Sequence, residues 1–437
     1  MHTIDSPRVA LIRRLFALLS GTGAAPGFLR IMLLMGLYLV VVQINRSGGA
    51  VMASELMSTR GYRPTEVGAI MGSMFLASAI VQLPAGVLYD RHGPRVMLST
   101  LNLVAVGGLI LFAFAASVPG LTLGRALIGL GHGTVIAGIY LLAVAWVPAD
   151  RVATMTGTVI GMAGGIGAVL ATTPLALTLG AFGFALTFGV LAALTMAFSA
   201  AIFLVVRDTP TDRDGSHGRA AESLWQSLRG LWEVASDRNL LPIYIMGSCF
   251  TAPFLTIGGL WAGPYLRDVY ALTNTESSFV LLIMMLALYS GYMAYGPMDR
   301  IFNTRKWVVL GGVAAMLSCL LPLALLPALP LPVAVILLVV FAFCSPFFVT
   351  LAAHCRGFVP VHRVGRAIAC INLMGLVNVF ILQAVAGVLV EGETGADAQA
   401  IADGYRLVFL MVAAVLIVTG AIYSRVRDVP VRGADDA

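Results

Sequence analysis

Long apolar runs separated by short polar turns make up most of the chain. The runs fall at 28–54, 65–89, 94–116, 120–146, 154–179, 183–206, 240–266, 275–298, 306–327, 331–353, 364–390 and 404–424. A helix needs about 20 apolar residues to cross the hydrocarbon of a bilayer. The pattern therefore predicts an all-α membrane protein with twelve transmembrane helices. The longest polar stretch, 207–239, falls between the sixth and seventh. Within it Leu224, Leu228, Leu231 and Ala235 recur at helical spacing beside Trp225 and Trp232. That pattern predicts an amphipathic linker helix with indoles at headgroup level. The expected division is an N-terminal segment 1–27, a six-helix bundle 28–206, the linker 207–239, a second six-helix bundle 240–425 and a tail 426–437.

Composition narrows the class. Hydrophobic residues are 59% of the 437 and charged residues 11%, against about 25% charged in soluble chains. The net charge of +6 would suggest nucleic acid only if it clustered on a soluble face. Instead the basic residues sit in short loops, at Arg91 and Arg95, Arg151, Arg300, Arg305 and Lys306, and Arg356, Arg363 and Arg366. With Arg8, Arg13, Arg14, Arg425, Arg427 and Arg432 they place both termini in the cytoplasm. The N-terminal segment lacks a cleavable signal and reads as a cytoplasmic lead-in. The five cysteines lie in apolar segments without metal spacing and read as buried thiols. No cofactor or metal is expected.

The two bundles repeat. Asp90-Arg91 recurs as Asp299-Arg300, and Val147-Pro-Ala-Asp-Arg151-Val152 as Val359-Pro-Val-His-Arg363-Val364. The offsets, 209 and 212, are nearly equal. Parallel repeats of this kind place a substrate site at their interface, near mid-membrane.

The turn after the second helix reads Gly86-Val-Leu-Tyr-Asp90-Arg91-His-Gly93-Pro-Arg95. It resembles the signature loop of the major facilitator superfamily. Arg125-Ala-Leu-Ile-Gly129-Leu-Gly131 on helix 4 resembles a second pattern of that superfamily. The resemblance implies a secondary transporter working by alternating access, with Gly86, Asp90, Arg91, Gly93, Arg95, Asp299 and Arg300 as gating residues. It implies a partner for Asp90 at the N-terminal end of helix 11 in the outward-facing state. The second copy departs, with Phe302-Asn303 in place of His-Gly. Helix 5 carries Gly157, Gly161, Gly164, Gly165 and Gly167 but not the G-P-x-x-G-G element of drug-exporting antiporters. Arg46 on helix 1, combined with Trp261-Ala-Gly-Pro264-Tyr265-Leu-Arg267-Asp268, resembles a bacterial branch akin to lysosomal dipeptide carriers.

Charge inside hydrocarbon marks functional candidates. Arg46 lies about 24 Å along helix 1, a little past the midplane, with Gln43 on its face and Asn45 adjacent. It is read as a substrate anchor; the competing reading lets it snorkel to periplasmic headgroups. Arg125 is a substrate contact or the partner of a backbone carbonyl. His132, seven residues on, shares its face and is the best placed titrating group, with His354 near the cytoplasmic end of helix 10. Gly263 and Pro264 suggest a hinge, and Arg267 and Asp268 read as surface charges. Trp261, Tyr265 and Asn378 complete the candidate substrate contacts, with Asn372 and Gln383 as further polar residues on helix 11. Tyr289, Tyr292 and Tyr295 on helix 8 read as packing. No acid occupies the centre of a proposed helix, so an arginine-bearing cavity would favour anions or carboxylates.

Nucleophile elbow, Walker lysine loop and metal set are all missing from the sequence, so an enzyme is not expected. The expectation is a monomeric inner-membrane carrier of a small anionic, zwitterionic or dipeptide-like solute, with protons as a candidate coupling ion. A proton-coupled multidrug or metabolite exporter and a non-transporting sensor are the alternatives.

Overall fold

Two glycines turn long helical runs into pairs of crossings. In the computed structural model Pro64–Phe114 is helical for 51 residues except at Gly93, whose φ is 74° and ψ 159°. Side chains with a Cβ rarely reach that region. The chain reverses there, making helix 2 (64–92) and helix 3 (94–114). Gly183, with φ 74° and ψ 171°, separates the end of helix 5 from helix 6 in the same way. The structure describes residues 27–209, 224–238, 240–326, 329–360, 363–392 and 398–429. The lead-in before residue 27, most of the polar half of the linker and the end of the tail lie outside these.

Among the described residues ten helices are long and apolar enough to cross a membrane. Counting the two limbs of Pro64–Phe114 separately and adding helix 5, which begins as Ala149–Leu170, gives twelve. The first helix of each group of three is broken. Helix 1 divides at Gly48 into Phe28–Ser47 and Gly49–Arg60, and helix 4 divides into Val118–His132 and Val135–Trp146. Helix 7 (Leu241–Tyr270) has a gap after Gly247 and a π turn at Ile257–Trp261. Helix 10 (Leu331–Arg356) carries a 3-10 turn at Ser345–Phe347. The unbroken helices of the second bundle are helix 8 (Asn274–Ile301), helix 9 (Lys306–Leu325), helix 11 (Val364–Gly392) and helix 12 (Ala398–Tyr423). Broken helices release backbone groups, which is tolerated in a membrane only where protein or a cavity takes them up.

The loops with the repeated motifs form one face, called the terminal face here, and Arg63 and Glu391 lie on the opposite, distal face. One apolar core fills the second bundle and continues into the distal part of the first, through Ala50, Met71 and Phe112. A separate core, around Phe28, Tyr38, Leu142 and Trp146, holds the terminal part of the first bundle. The bundles thus share one core at the distal side and have separate cores at the terminal side.

The linker helix, Leu224–Ala235, packs against the Pro64–Phe114 helix pair and helix 11. Trp225 and Trp232 are both exposed, as an interfacial helix requires.

Candidate functional site

The distal weld is built by small residues. A Cβ on Gly49 would stand 2.4 Å from the Gly259 carbonyl oxygen, and one on Gly263 2.8 Å from that of Ala50. Helix 2 meets helix 11 as closely, since a Cβ on Gly68 would lie 2.5 Å from the Gln383 oxygen. Such contacts let backbones approach to packing distance. The Arg267 guanidinium crosses the seam to donate to the Ser54 carbonyl at 2.7 Å. Arg267 is therefore a seam residue, not the surface charge the sequence suggests; Asp268, exposed, accepts from Tyr405 at 2.5 Å. Along helix 5 the seam ends at Gly164 and Gly165, which pack on the Tyr289 ring. Further toward the terminal face Gly157 and Gly161 meet nothing within 4 Å. Across helices 2 and 11 Asn372 donates to Gln82 at 2.8 Å.

Arg46 sits where weld gives way to cleft. It is half-buried and acts electrostatically on Tyr292 and Tyr289 of helix 8, in the other bundle. Gln43, one turn earlier, is a polar neighbour of Tyr289. Among the described residues no hydrogen bond or ion pair holds the Arg46 guanidinium. Its side chain turns toward helix 8 and away from the distal surface where snorkelling would take it. Tyr289 and Tyr292 join the site, although their spacing in the sequence resembles simple packing. Tyr295, on the same stripe, is buried inside its own bundle with its hydroxyl against Gly312.

Asn45, Arg125 and His132 turn the other way, into the first bundle. Helices 1 and 4 run antiparallel, so Asn45 meets Arg125 and, seven residues down each helix, Tyr38 meets His132. Arg125 is wholly buried and donates from Nη1 to the Asn45 carbonyl at 3.1 Å, with its guanidinium 5.5 Å from the Phe112 ring centre. The carbonyl-partner alternative for Arg125 is thus present in the structure. The His132 ring stands edge-on to Tyr38 at 5.9 Å, and Tyr38 donates to Asn102.

Three further candidates lie in the second bundle. Trp261 and Tyr265 are buried against Tyr405 and Phe409 of helix 12. Asn378 donates to the Ser248 carbonyl at 3.0 Å, in the gap of helix 7. Gln383 donates to the Leu255 carbonyl at 2.9 Å, beside the π turn. These helix 11 side chains take up acceptors that the broken helix 7 releases. In this conformation they face helix 7 and leave the cleft to Arg46, Gln43 and the two tyrosines.

At the terminal face the loop residues are held by an acid that the motif does not contain. Asp208, just after helix 6, accepts from the Arg95 backbone N–H at 2.7 Å, capping helix 3. A Cβ on Gly93 would fall 2.3 Å from the Asp208 carboxylate. Arg95 also donates from Nε to the Phe203 carbonyl at 2.6 Å. Asp428, just after helix 12, does the same for helix 9. It accepts from the backbone N–H groups of Arg305 and Lys306 at 3.2 and 3.0 Å and from the Thr304 hydroxyl. The sequence signal is a repeated Val-Arg-Asp-x-Pro at 206–210 and 426–430. Each capping strand is pinned through the preceding carbonyl, Arg207 by the Trp146 indole at 3.0 Å and Arg427 by His354 Nε2 at 3.1 Å. Asn303, which replaces the motif glycine, takes a φ of 49°; asparagine reaches that region more readily than most residues. Asp299 pairs with Arg305 at 3.7 Å. Gly86 meets nothing within 4 Å, and Asp90, Arg91 and Arg300 are exposed. Asp90 has no hydrogen bond or ion pair among the described residues, so the contact with helix 11 is not made in this conformation.

Comparison with known proteins agrees with the architecture. The chain superposes on a bacterial homologue of the human lysosomal transporter Spinster in an inward-facing, occupied conformation, with a TM-score of 0.74 and 16% identity over 93% of this chain and 98% of that one. A point mutant of the nucleoside transporter NupG gives a TM-score of 0.71 at 17% identity, over 90% and 98%. At such identities the likeness concerns the fold alone. Two curated relatives match locally. A probable L-galactonate transporter of Escherichia coli (strain K12) is 40% identical over 67 residues, 15% of each chain. The nitrate/nitrite transporter NrtP of Picosynechococcus sp. (strain ATCC 27264 / PCC 7002 / PR-6) is 33% identical over 122 residues, 27% of this chain and 22% of that one. The matches thus span under a quarter of either relative's length. The profile of the Major Facilitator Superfamily matches residues 34–288 and 257–437, and the chain is a multi-pass membrane transporter belonging to that superfamily.

Proposed function

We propose that the protein carries a small organic anion or zwitterion, with Arg46 as the anchor for its negative group and Gln43, Tyr289 and Tyr292 as neighbouring contacts. One observation carries this reading: the Arg46 guanidinium faces the opposite bundle where weld meets cleft, with no carboxylate among the described residues paired to it. A guanidinium there offers two parallel donors to a carboxylate. Because its neighbours belong to both bundles, an anion bound at Arg46 would feel the bundles rock. The local relatives are named for galactonate and for nitrate and nitrite, all anions.

The cleft opens on the terminal face. With both termini in the cytoplasm of a bacterial cell, this is the inward-facing state of a monomeric carrier in the inner membrane. Bundle rocking about Arg46 would expose the anchor alternately to the two sides.

The test is counterflow in proteoliposomes, run with sugar acids, amino acids, dipeptides and nitrate at several pH values; the pH series decides whether protons are coupled. Losing one partner of a desolvated charge pair costs about 2–5 kcal/mol. Arg46→Ala should weaken transport at least about 30-fold, at about 1.4 kcal/mol per tenfold, with insertion intact. Transport by that variant at the wild-type rate would remove Arg46 from the site.

A further inference from the structure

Arg125 presents a second positive group, sealed behind helix 1 and apart from the cleft. Its relative exposure is 0%, yet among the described residues only Nη1 finds a hydrogen-bond partner, the Asn45 carbonyl. Nε and Nη2, which lie along one edge of the planar fork, find none there. That edge is the one matched to a carboxylate or other compact anion. No acid forms an ion pair with it among the described residues. Phe112 offers the ring contact at 5.5 Å, and His132 and Asn45 are the polar neighbours. Other polar atoms on this seam are also buried without partners: Asn45 Oδ1, Asn102 Nδ2 and both ring nitrogens of His132.

A buried cation without a counter-charge is costly, and proteins resolve such sites by pairing. We infer that the Nε/Nη2 edge of Arg125 holds a small monovalent anion inside the first bundle. The chemistry fits chloride from the medium or the carboxylate of a small solute. The site is separate from the one proposed at Arg46. Arg46 faces helix 8 across the cleft, whereas Arg125 faces helices 1 and 3 within one bundle.

The experiment is thermal unfolding of the purified protein in detergent at constant ionic strength. Sodium isethionate, too bulky for the site, is replaced stepwise by sodium chloride or sodium acetate. Wild-type Tm should rise saturably by about 5 °C, the size of shift that ligand linkage gives at concentrations well above Kd. A rise with both salts assigns a general small-anion site, and a rise with one of them identifies the source. Arg125→Gln should abolish the chloride rise, and Arg46→Gln should retain it; the acetate rise, to which the Arg46 site can add, is read in the Arg46→Gln background and should vanish when Arg125→Gln is added. A flat wild-type response to both salts, a chloride rise surviving in Arg125→Gln, or an acetate rise surviving in the double variant would each overturn the inference. Should Arg125→Gln not fold, bromide-soaked wild-type crystals should show an anomalous peak against the Arg125 edge, and an empty edge would overturn it equally.

Discussion

The two bundles share a frame and fill it differently. Both cap the helix after their repeated loop with an aspartate from the end of their last helix, and both pin the capping strand from the third helix before it. Inside that frame the first bundle buries a cation, Arg125, and sets Arg46 on its inner face. The second bundle spends two amides of helix 11 on its own backbone, since Asn378 and Gln383 serve the broken helix 7. The difference suggests a division of labour: one bundle supplies charge on a close-packed support, and the other supplies a jointed helix on which the weld can open.

The support is the place to strike hardest. Gly129 lies so close to helix 2 that a Cβ would come 2.1 Å from the Met74 oxygen. At the repeat offset of 212 the second bundle has Phe341, also fully buried. Overpacking of this kind costs typically 1–3 kcal/mol, and a backbone atom cannot step aside as a side chain does. Gly129→Ala should therefore lie at about 3 kcal/mol, with a Tm loss and poor expression. Phe341→Leu should cost less. If the two cost the same, the close-packed first bundle is not special.

A smaller effect tests the jointed helix. Gln383→Leu leaves the Leu255 carbonyl without its donor inside the bundle, at about 1–3 kcal/mol. Hydrogen exchange should rise around residues 255–261 and stay unchanged in helix 4. Exchange rising equally in both bundles would contradict the division of labour.

The caps should follow at about 1 kcal/mol each, within the range for helix N-cap loss. Asp428→Ala should exceed Asp208→Ala, because Asp428 serves three donors and Asp208 one backbone N–H. The same asymmetry has a pH signature. Burial acts to raise the Asp428 pKa, but the Thr304 hydroxyl and the N–H groups of Lys306 and Arg305 outweigh it and hold the acid below its ordinary value. An acid with a depressed folded pKa gives its full stabilisation above the unfolded value, near pH 4, and loses it as pH falls through the folded one. Wild-type Tm should thus fall more steeply below about pH 4 than that of Asp428→Ala. Parallel curves would show that the cap does not depend on the charge.

Much of this was legible from residues alone, for physical reasons. Crossing a bilayer forces long apolar runs, so twelve helices could be placed with ends at most six residues off, and two loop motifs exposed the repeat. The aspartates escaped notice because Asp208 begins what reads as a polar linker and Asp428 what reads as a tail. Only their shared Val-Arg-Asp-x-Pro setting marks them. Tyr289 and Tyr292 escaped because a helical aromatic stripe looks alike whether it faces lipid, core or cleft. Conversely Trp261 and Tyr265 drew attention by their motif, while the structure packs both rings against helix 12. Which face a helix turns to its neighbour depends on the partner bundle, and that is not encoded within the helix itself.

The gentlest way to probe the comparison is the one ion pair across the distal seam described by the structure. Arg63 meets Glu391 at 3.1 Å and Glu66 at 3.2 Å, and the Thr65 N–H also donates to Glu391 at 3.1 Å. Arg63 is exposed, and exposed pairs contribute little to stability. Arg63→Gln should leave Tm unchanged within error. Its effect should appear in the balance between conformations, because Arg63 caps helix 2 and Glu391 lies at the end of helix 11, and these ends must part when the distal side opens. A cysteine placed at Ser54, under the weld, should react faster with a small impermeant maleimide in the Arg63→Gln background, by a factor of about two to three. The factor should shrink in 1 M salt, where the screening length is about 3 Å and the wild-type pair is itself weakened. A labelling rate unaffected by Arg63 would mean that the glycine contacts at Gly49, Gly68 and Gly263 hold the seam alone, and that charge in this protein serves the solute and not the gate.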